Sequence, residues 1–231
     1  MKYTGKNGHL YHQVRHEIDD LAQQHIIRRR AKKFQKFIDT SDSVLEYGAG
    51  LGWNLKGINA AQKVAFDTAE SLANHYDLGD ITFVSEEKLL HRKIFDVIIC
   101  HHVLEHVENP YAFLRNLQKY ANESTKIIVC VPSEVQSRYN NGVKAFDKDF
   151  HLYTWNLNTL ANLLTNTGYK ISEITVRRFG YERYIAVLFR NFHFSIYDFF
   201  VRLAQLIRPE SEIFAIINLT ENTLKKNSHE D

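Results

Sequence analysis

Glu46-Tyr47-Gly48-Ala49-Gly50-Leu51-Gly52 sets three glycines at alternate positions directly behind a short apolar run, Ser43–Tyr47. Glycine lacks a Cβ, so such a loop can turn tightly and bring its backbone close to a ligand. Asp67 stands nineteen residues beyond Gly48, at the end of a second apolar run. A carboxylate there can accept both hydrogen bonds of a ribose diol, so loop and acid together point to a nucleoside ligand. A second concentration of chemistry is Cys100-His101-His102-Val103-Leu104-Glu105-His106. An imidazole with its ordinary pKa of about 6.5 can take a proton from a hydroxyl at neutral pH, which makes His102 a candidate base. His151, which follows a polar stretch expected to be a loop, is the other. Each has a plainer alternative, as a structural or loop histidine.

The elements that must position these residues follow from periodicity. Val14, Ile18, Leu21, Ile27, Ala31, Phe34 and Ile38 recur mostly three or four apart, which predicts one or two amphipathic helices over His12–Ile38. Short apolar runs at Ser43–Tyr47, Lys63–Phe66, Ile81–Val84, Phe95–Cys100 and Lys126–Val131 read as strands, with a helix after the glycine turn and spacers long enough for crossover helices. That alternation predicts an α/β fold with a parallel sheet and helices on both faces. After Pro132, Ser133–Lys148 reads as a mobile loop, Trp155–Thr167 as a helix capped by Gly168, and Tyr169–Arg178 and Ile213–Leu219 as two last strands. The aromatic-rich Tyr181–Arg208 between them has helical spacing ended by Pro209, and Lys225–Asp231 is a solvated tail.

Composition sets the outer limits. The chain has 231 residues, 44% hydrophobic and 24% charged, which is ordinary globular usage and argues against disorder or a disulfide scaffold. Twenty-nine Lys and Arg against 27 Asp and Glu leave a formal charge of +2, too little to signal a nucleic-acid binder. Cys100 and Cys130 each lie inside an apolar run and read as inert core thiols, as in a reducing compartment. No signal-peptide core or membrane-length apolar window is present, so the expected location is cytoplasmic.

A dinucleotide site would call for G-x-G-x-x-G, but the third glycine position is Trp53, which disfavours a nucleotide-binding oxidoreductase without removing it. The order G-x-G-x-G behind an acidic residue, then Asp67, then Phe95-Asp96-Val-Ile-Ile-Cys100-His101-His102-Val-Leu-Glu105-His106-Val, resembles the class I S-adenosylmethionine-dependent methyltransferases over roughly residues 42–134. The resemblance implies a Rossmann-like, doubly wound, seven-stranded and mostly parallel sheet, and S-adenosylmethionine as cofactor. It implies that Glu46, Gly48, Ala49, Gly50 and Gly52 hold the methionine portion. Asp67, with Thr68 beside it, would hold the ribose, Ser85 and Glu86 the adenine, and Cys100 and His101 would lie beside the sulfonium with His102 facing the methyl group.

Around the fourth strand the chain is also similar to ubiquinone-biosynthesis O-methyltransferases, whose Glu-x-x-Glu-His stretch can hold a divalent metal. Here His102 replaces the first glutamate, and magnesium prefers oxygen ligands, so no metal is expected. His102-x-x-Glu105-His106 also matches an inverted zinc-peptidase helix, and the plainest reading has Val103 and Leu104 packing a helix while Glu105 and His106 bond to each other or to backbone. His151–Gly168 is similar to the substrate-side segment of small-molecule and glycan-modifying members.

The implied acceptor is thus a small molecule, led by oxygen on a nucleotide-sugar or glycan intermediate. The Asn/Asp-Pro-Pro-aromatic turn of base-modifying members is missing, so nucleic acid is not an expected partner. A catalytically silent S-adenosylmethionine-binding protein is the remaining alternative. One domain over residues 1–231 is expected: a helical cap at 1–40, a cofactor core at 42–134 and a substrate-side segment at 135–231. Arg28-Arg29-Arg30 with Lys32, Lys33 and Lys36 reads as a solvated helix face, and Tyr11 and His12 before it could close over the cofactor. The aromatic segment 181–208 could pack the core, cover the acceptor, form a homodimer face or rest on a membrane.

Overall fold

The structure is a computed structural model that describes residues 18–75, 79–133, 151–207, 210–221 and 223. Tyr11, His12, the expected loop beyond Ser133, Pro209 and the tail 225–231 lie outside the described residues. Seven strands, β1 Ser43–Tyr47, β2 Gln62–Phe66, β3 Ile81–Val84, β4 Val97–His101, β5 Lys126–Pro132, β6 Tyr169–Phe179 and β7 Glu210–Leu219, form a sheet in the order β3-β2-β1-β4-β5-β7-β6. β1–β2, β2–β3 and β4–β5 pair in parallel, and only β7 runs against its neighbours β5 and β6. This is the expected Rossmann-like α/β sheet. Among the described residues five α-helices accompany it: α1 Asp20–Gln35, α2 Pro110–Leu117, α3 Leu157–Asn166, α4 Glu182–Phe189 and α5 Phe194–Ile207.

The chain divides into two compact units, residues 1–89 with 180–209 and residues 90–179 with 210–231. In the first, Asp19 caps α1 by accepting the Ala22 N–H, and the helix buries Ala22, Ile26, Ala31 and Phe34. Ala22 and Ile26 join Trp53, Ala186, Phe194, Tyr197 and Val201 in one apolar cluster shared by α1, α4 and α5. The basic run on α1 is therefore only in part the solvated face its composition suggested, with Arg28, Lys32 and Lys36 exposed. Arg29 and Arg30 are less than a quarter exposed and pair with Glu182 and Asp198, while Arg28 and Lys32 each sit 4.4 Å over the Phe194 ring.

The crossovers also differ from expectation. No regular helix follows the glycine turn: Gly52 has φ 67° and Gly57 is pressed against α1, so only Trp53–Lys56 lie between, too few to nucleate one. β2 is followed by a 3-10 segment, Glu70–His75, and β3 by another, Glu87–Leu90.

In the second unit β4 and β5 are almost wholly buried, as continuous apolar runs in parallel strands must be. Both cysteines there are free and buried. Asn156 and Thr159 form a reciprocal capping box on α3, and Gly168 ends the helix turn at φ 94°. The aromatic segment forms two helices, the second over the residues at helical spacing, and β7 begins three residues earlier than its apolar run. Glu210, Ser211 and Glu212 extend the ladder opposite Phe179, Arg178 and Arg177.

A Cβ on Gly57 would stand 2.7 Å from the Ala31 Cβ and 3.1 Å from the Ile27 carbonyl oxygen. Gly57→Ala should lower stability by about 1–3 kcal/mol through this overpacking. Urea unfolding checks it, and an unchanged midpoint would show that α1 yields freely.

Candidate functional site

The first unit carries the glycine loop. Gly48, Gly50 and Gly52 have φ of 82°, 53° and 67°, the left-handed region that L side chains resist, which is why the sequence alternates glycine here. The loop is stitched to the end of β2: the Gly48 and Ala49 N–H groups donate to the Phe66 carbonyl at 2.8 and 3.0 Å. Asp67, the next residue, completes the stitch. One carboxylate oxygen accepts the Gly50 N–H at 2.9 Å and the other the Ala69 N–H at 3.0 Å. Each oxygen keeps a second acceptor direction, so the half-buried carboxylate can hold the loop and still receive ligand hydroxyls. Thr68 beside it is exposed; beyond β3, Ser85 is half-buried, and Glu86 is exposed and ion-paired with Lys88.

Glu46 is different in kind, being only 1% exposed in β1 with its Oε1 accepting from the Asn54 amide. Asn54 was not singled out by sequence, since no motif connects it to Glu46. Burial pushes the Glu46 carboxyl up to about 8, against the opposing pull of Asn54, Arg30 and Lys33.

The second unit carries the histidine turn. The His102 N–H donates to the Cys130 carbonyl at 2.9 Å, and the chain then turns at His102 with φ 58°. That conformation is costly for a side-chain-bearing residue, although His tolerates it better than most. It sets the ring between two carboxylates, with Nε2 3.2 Å from Glu212 Oε2 and Nδ1 3.5 Å from Glu105 Oε1. The Phe179 ring lies 4.7 Å away. A neutral imidazole has one N–H to give, so its other nitrogen meets a carboxylate with a lone pair, an arrangement relieved by a proton or a cation. His101 Nε2 is 3.7 Å from the same Glu212 oxygen. Cys100 is fully buried, backbone included, and lies beneath the more open His101.

Residues 103–109 form turns and α2 starts only at Pro110. The zinc-peptidase reading, which needs a helix across His102 and His106, therefore fails, as does the helix expected to be packed by Val103 and Leu104. Fully buried Glu105 lies 3.8 Å from His106 Nε2, and its backbone carbonyl accepts from Leu152 at 2.7 Å and Tyr153 at 3.3 Å. That tie brings the His151 ring to 4.9 Å from His106.

Ligand atoms of His101, His102 and Glu212 lie within 4.8 Å of one another, and so do those of Glu105, His106 and His151. Imidazole-rich sets of this kind suit zinc or iron better than magnesium. Sequence reasoning missed Glu212 and Phe179. Glu212 stands in Glu-Ser-Glu before the apolar run and reads as loop.

Between about 4.5 and about 8 the folded protein keeps a proton on Glu46 that the unfolded chain has released. Stability should therefore be greatest below that window and fall as pH rises through it. Glu46→Gln cannot ionise and should exceed wild-type stability near the upper end by a few kcal/mol, on the order of the shift, with little difference at the lower end. Thermal unfolding at both ends checks this, and parallel pH dependence in the two proteins would remove Glu46 as the cause.

Residues 7–174, well over half of the chain, match the family model described as a methyltransferase domain. The ubiquinone biosynthesis O-methyltransferase of Rickettsia akari is 25% identical over 180 residues, covering 69% of this chain and 70% of that protein. The one from Rickettsia bellii is 26% identical over 180 residues, covering 70% and 74%. Among solved structures, the magnesium protoporphyrin IX methyltransferase of Synechocystis PCC 6803, crystallised with S-adenosylhomocysteine, shares the fold at TM-score 0.60 and 13% identity over 94% of this chain and 96% of that one. A methyltransferase from Archaeoglobus fulgidus does so at TM-score 0.55 and 17% identity over 84% and 93%. With the glycine loop stitched to Asp67 on a Rossmann-like sheet, the match establishes that the chain belongs to the methyltransferase-domain family, in its class I, S-adenosylmethionine-dependent form.

Proposed function

We propose that this enzyme transfers the methyl group of S-adenosylmethionine to a hydroxyl oxygen of a small-molecule acceptor. The observation that carries the oxygen assignment is His102 set between Glu105 and Glu212, two carboxylates that stabilise the imidazolium formed when the ring takes an acceptor's proton. The curated relatives, named as O-methyltransferases, support it. A sugar or glycan intermediate stays the first acceptor class to screen, with nucleotide-sugars and phenols in the same panel.

S-adenosylmethionine supplies an activated methyl group that leaves sulfur by in-line displacement, so positioning supplies most of the help. Gly48, Ala49, Gly50 and Gly52 give the cofactor a close backbone surface, and Asp67 accepts from its ribose hydroxyls while holding that surface in place. Glu46 stiffens the loop from beneath through Asn54. Ser85, Glu86 and Thr68 are assigned to the adenosine end, and His101, with Cys100 beneath it, to the reacting end. His102 removes the acceptor proton, with Glu212 fixing its ring, and His151 is the second candidate for that role.

Asp67→Ala should weaken S-adenosylmethionine binding by about 1–3 kcal/mol in a calorimetric titration, and unchanged affinity would take Asp67 out of the site. His102→Ala should bind the cofactor normally and lose about 100-fold or more in rate on an accepted substrate. A chelator should leave the wild-type rate unchanged. A wild-type rate in the variant would end the base assignment, and a rate abolished by chelation and restored by zinc would replace it with a metal role.

A further inference from the structure

Helices α4 and α5, with the turn joining them, present a continuous apolar surface that the packing against α1 does not use. On α5, Phe194, Tyr197, Val201 and Gln205 are buried. Ile196, Phe199, Leu203, Leu206 and Ile207 are exposed, Ile207 at 76%. At the helical repeat these five fall within an arc of about 100°. Tyr184 and Leu188 of α4, at 73% and 69%, and Phe192 of the turn extend the surface. Phe189 stacks on Phe200 at 4.3 Å and Phe200 meets Phe199 at 5.4 Å, so ring contacts hold the two helices' apolar faces together. Single exposed apolar residues are ordinary, but a contiguous set of this size marks an interaction surface.

Charge indicates what that surface meets. Glu182 and Asp198, the pair's two carboxylates, are 13% and 17% exposed and turn inward to Arg29 and Arg30 of α1. Arg190 and Arg202 remain outward at 46% and 71%, one closing α4 and the other beside the apolar arc, touching Asp19 and Asp198 at 3.7 and 2.8 Å. The exposed rim thus presents Arg202 over a carboxylate that Arg29 also pairs, and Arg190 beside the similarly exposed Asp19, around an apolar centre. A second copy would supply no excess negative charge for Arg202, whereas lipid phosphates would meet both features. Among the described residues no helix is long and apolar enough to cross a membrane, and α5 has 14 residues, so the geometry is that of a helix lying in the interface plane.

We propose that the α4–α5 face docks on an anionic lipid bilayer, with Phe199, Leu203 and Leu206 entering the headgroup boundary and Arg190 and Arg202 meeting lipid phosphates. The test is co-sedimentation of the full chain with vesicles of pure phosphatidylcholine and of phosphatidylcholine mixed equally with phosphatidylglycerol. Binding should favour the mixed vesicles and weaken with salt. Arg190→Gln with Arg202→Gln should lower it by about fivefold per arginine, and Phe199→Ser with Leu206→Ser should abolish it, with circular dichroism reporting the fold of each variant. Because the arginine pair is exposed, it keeps the test open even if the apolar pair fails to fold. No binding to either vesicle, equal and salt-insensitive binding to both, or a dimer in sedimentation that Phe199→Ser dissolves without any vesicle binding would each overturn the proposal.

Discussion

The shape of the glycine loop depends on one carboxylate beyond the end of β2. Asp67 accepts from Gly50 through one oxygen and from Ala69 through the other, while the Phe66 carbonyl takes the Gly48 and Ala49 N–H groups. A loop of three glycines in left-handed conformations is costly to order, because glycine loses the most freedom on folding. The three bonds from Gly48, Ala49 and Gly50 hold the loop against the end of β2, and the fourth, from Ala69, fixes the carboxylate. The same carboxylate is the group a ribose would meet, so the residue proposed for binding already maintains the shape that binding needs.

The histidine turn solves a related problem differently. His102 adopts a backbone angle more natural to glycine, and the strain is sustained by the Cys130 hydrogen bond and by carboxylates on both sides of its ring. Glycine at this position would relax the backbone and lose the imidazole. Retaining histidine there is understandable if the ring's orientation is what the turn exists to secure.

The strand skeleton was legible in the sequence because buried parallel strands must be largely apolar runs, and Ser43–Tyr47, buried at all but its first residue, begins and ends where that rule places it. The glycine spacing and Asp67 were legible because their backbone demand is written in residue type. Long-range polar pairings were not. Glu212 reaches His102 only because β7 begins three residues before its apolar run, and that extension is decided by ladder partners on β6. Asn54 meets Glu46 because Gly52 and Gly57 prevent the helix expected after the loop. Both are tertiary outcomes with no periodic trace.

The basic run on α1 shows why charge counted along a sequence misleads. Arg28–Lys36 invites a reading as a solvated face, yet Arg29 and Arg30 lie under α4 and α5, paired with Glu182 and Asp198. Partly buried pairs of this sort gain less than their geometry suggests, because desolvation offsets much of the attraction. Their larger consequence is directional. Neutralising the helices' acidic residues from beneath leaves their outer face apolar with an excess positive charge at Arg202, so an interior pairing determines what kind of surface can approach from outside.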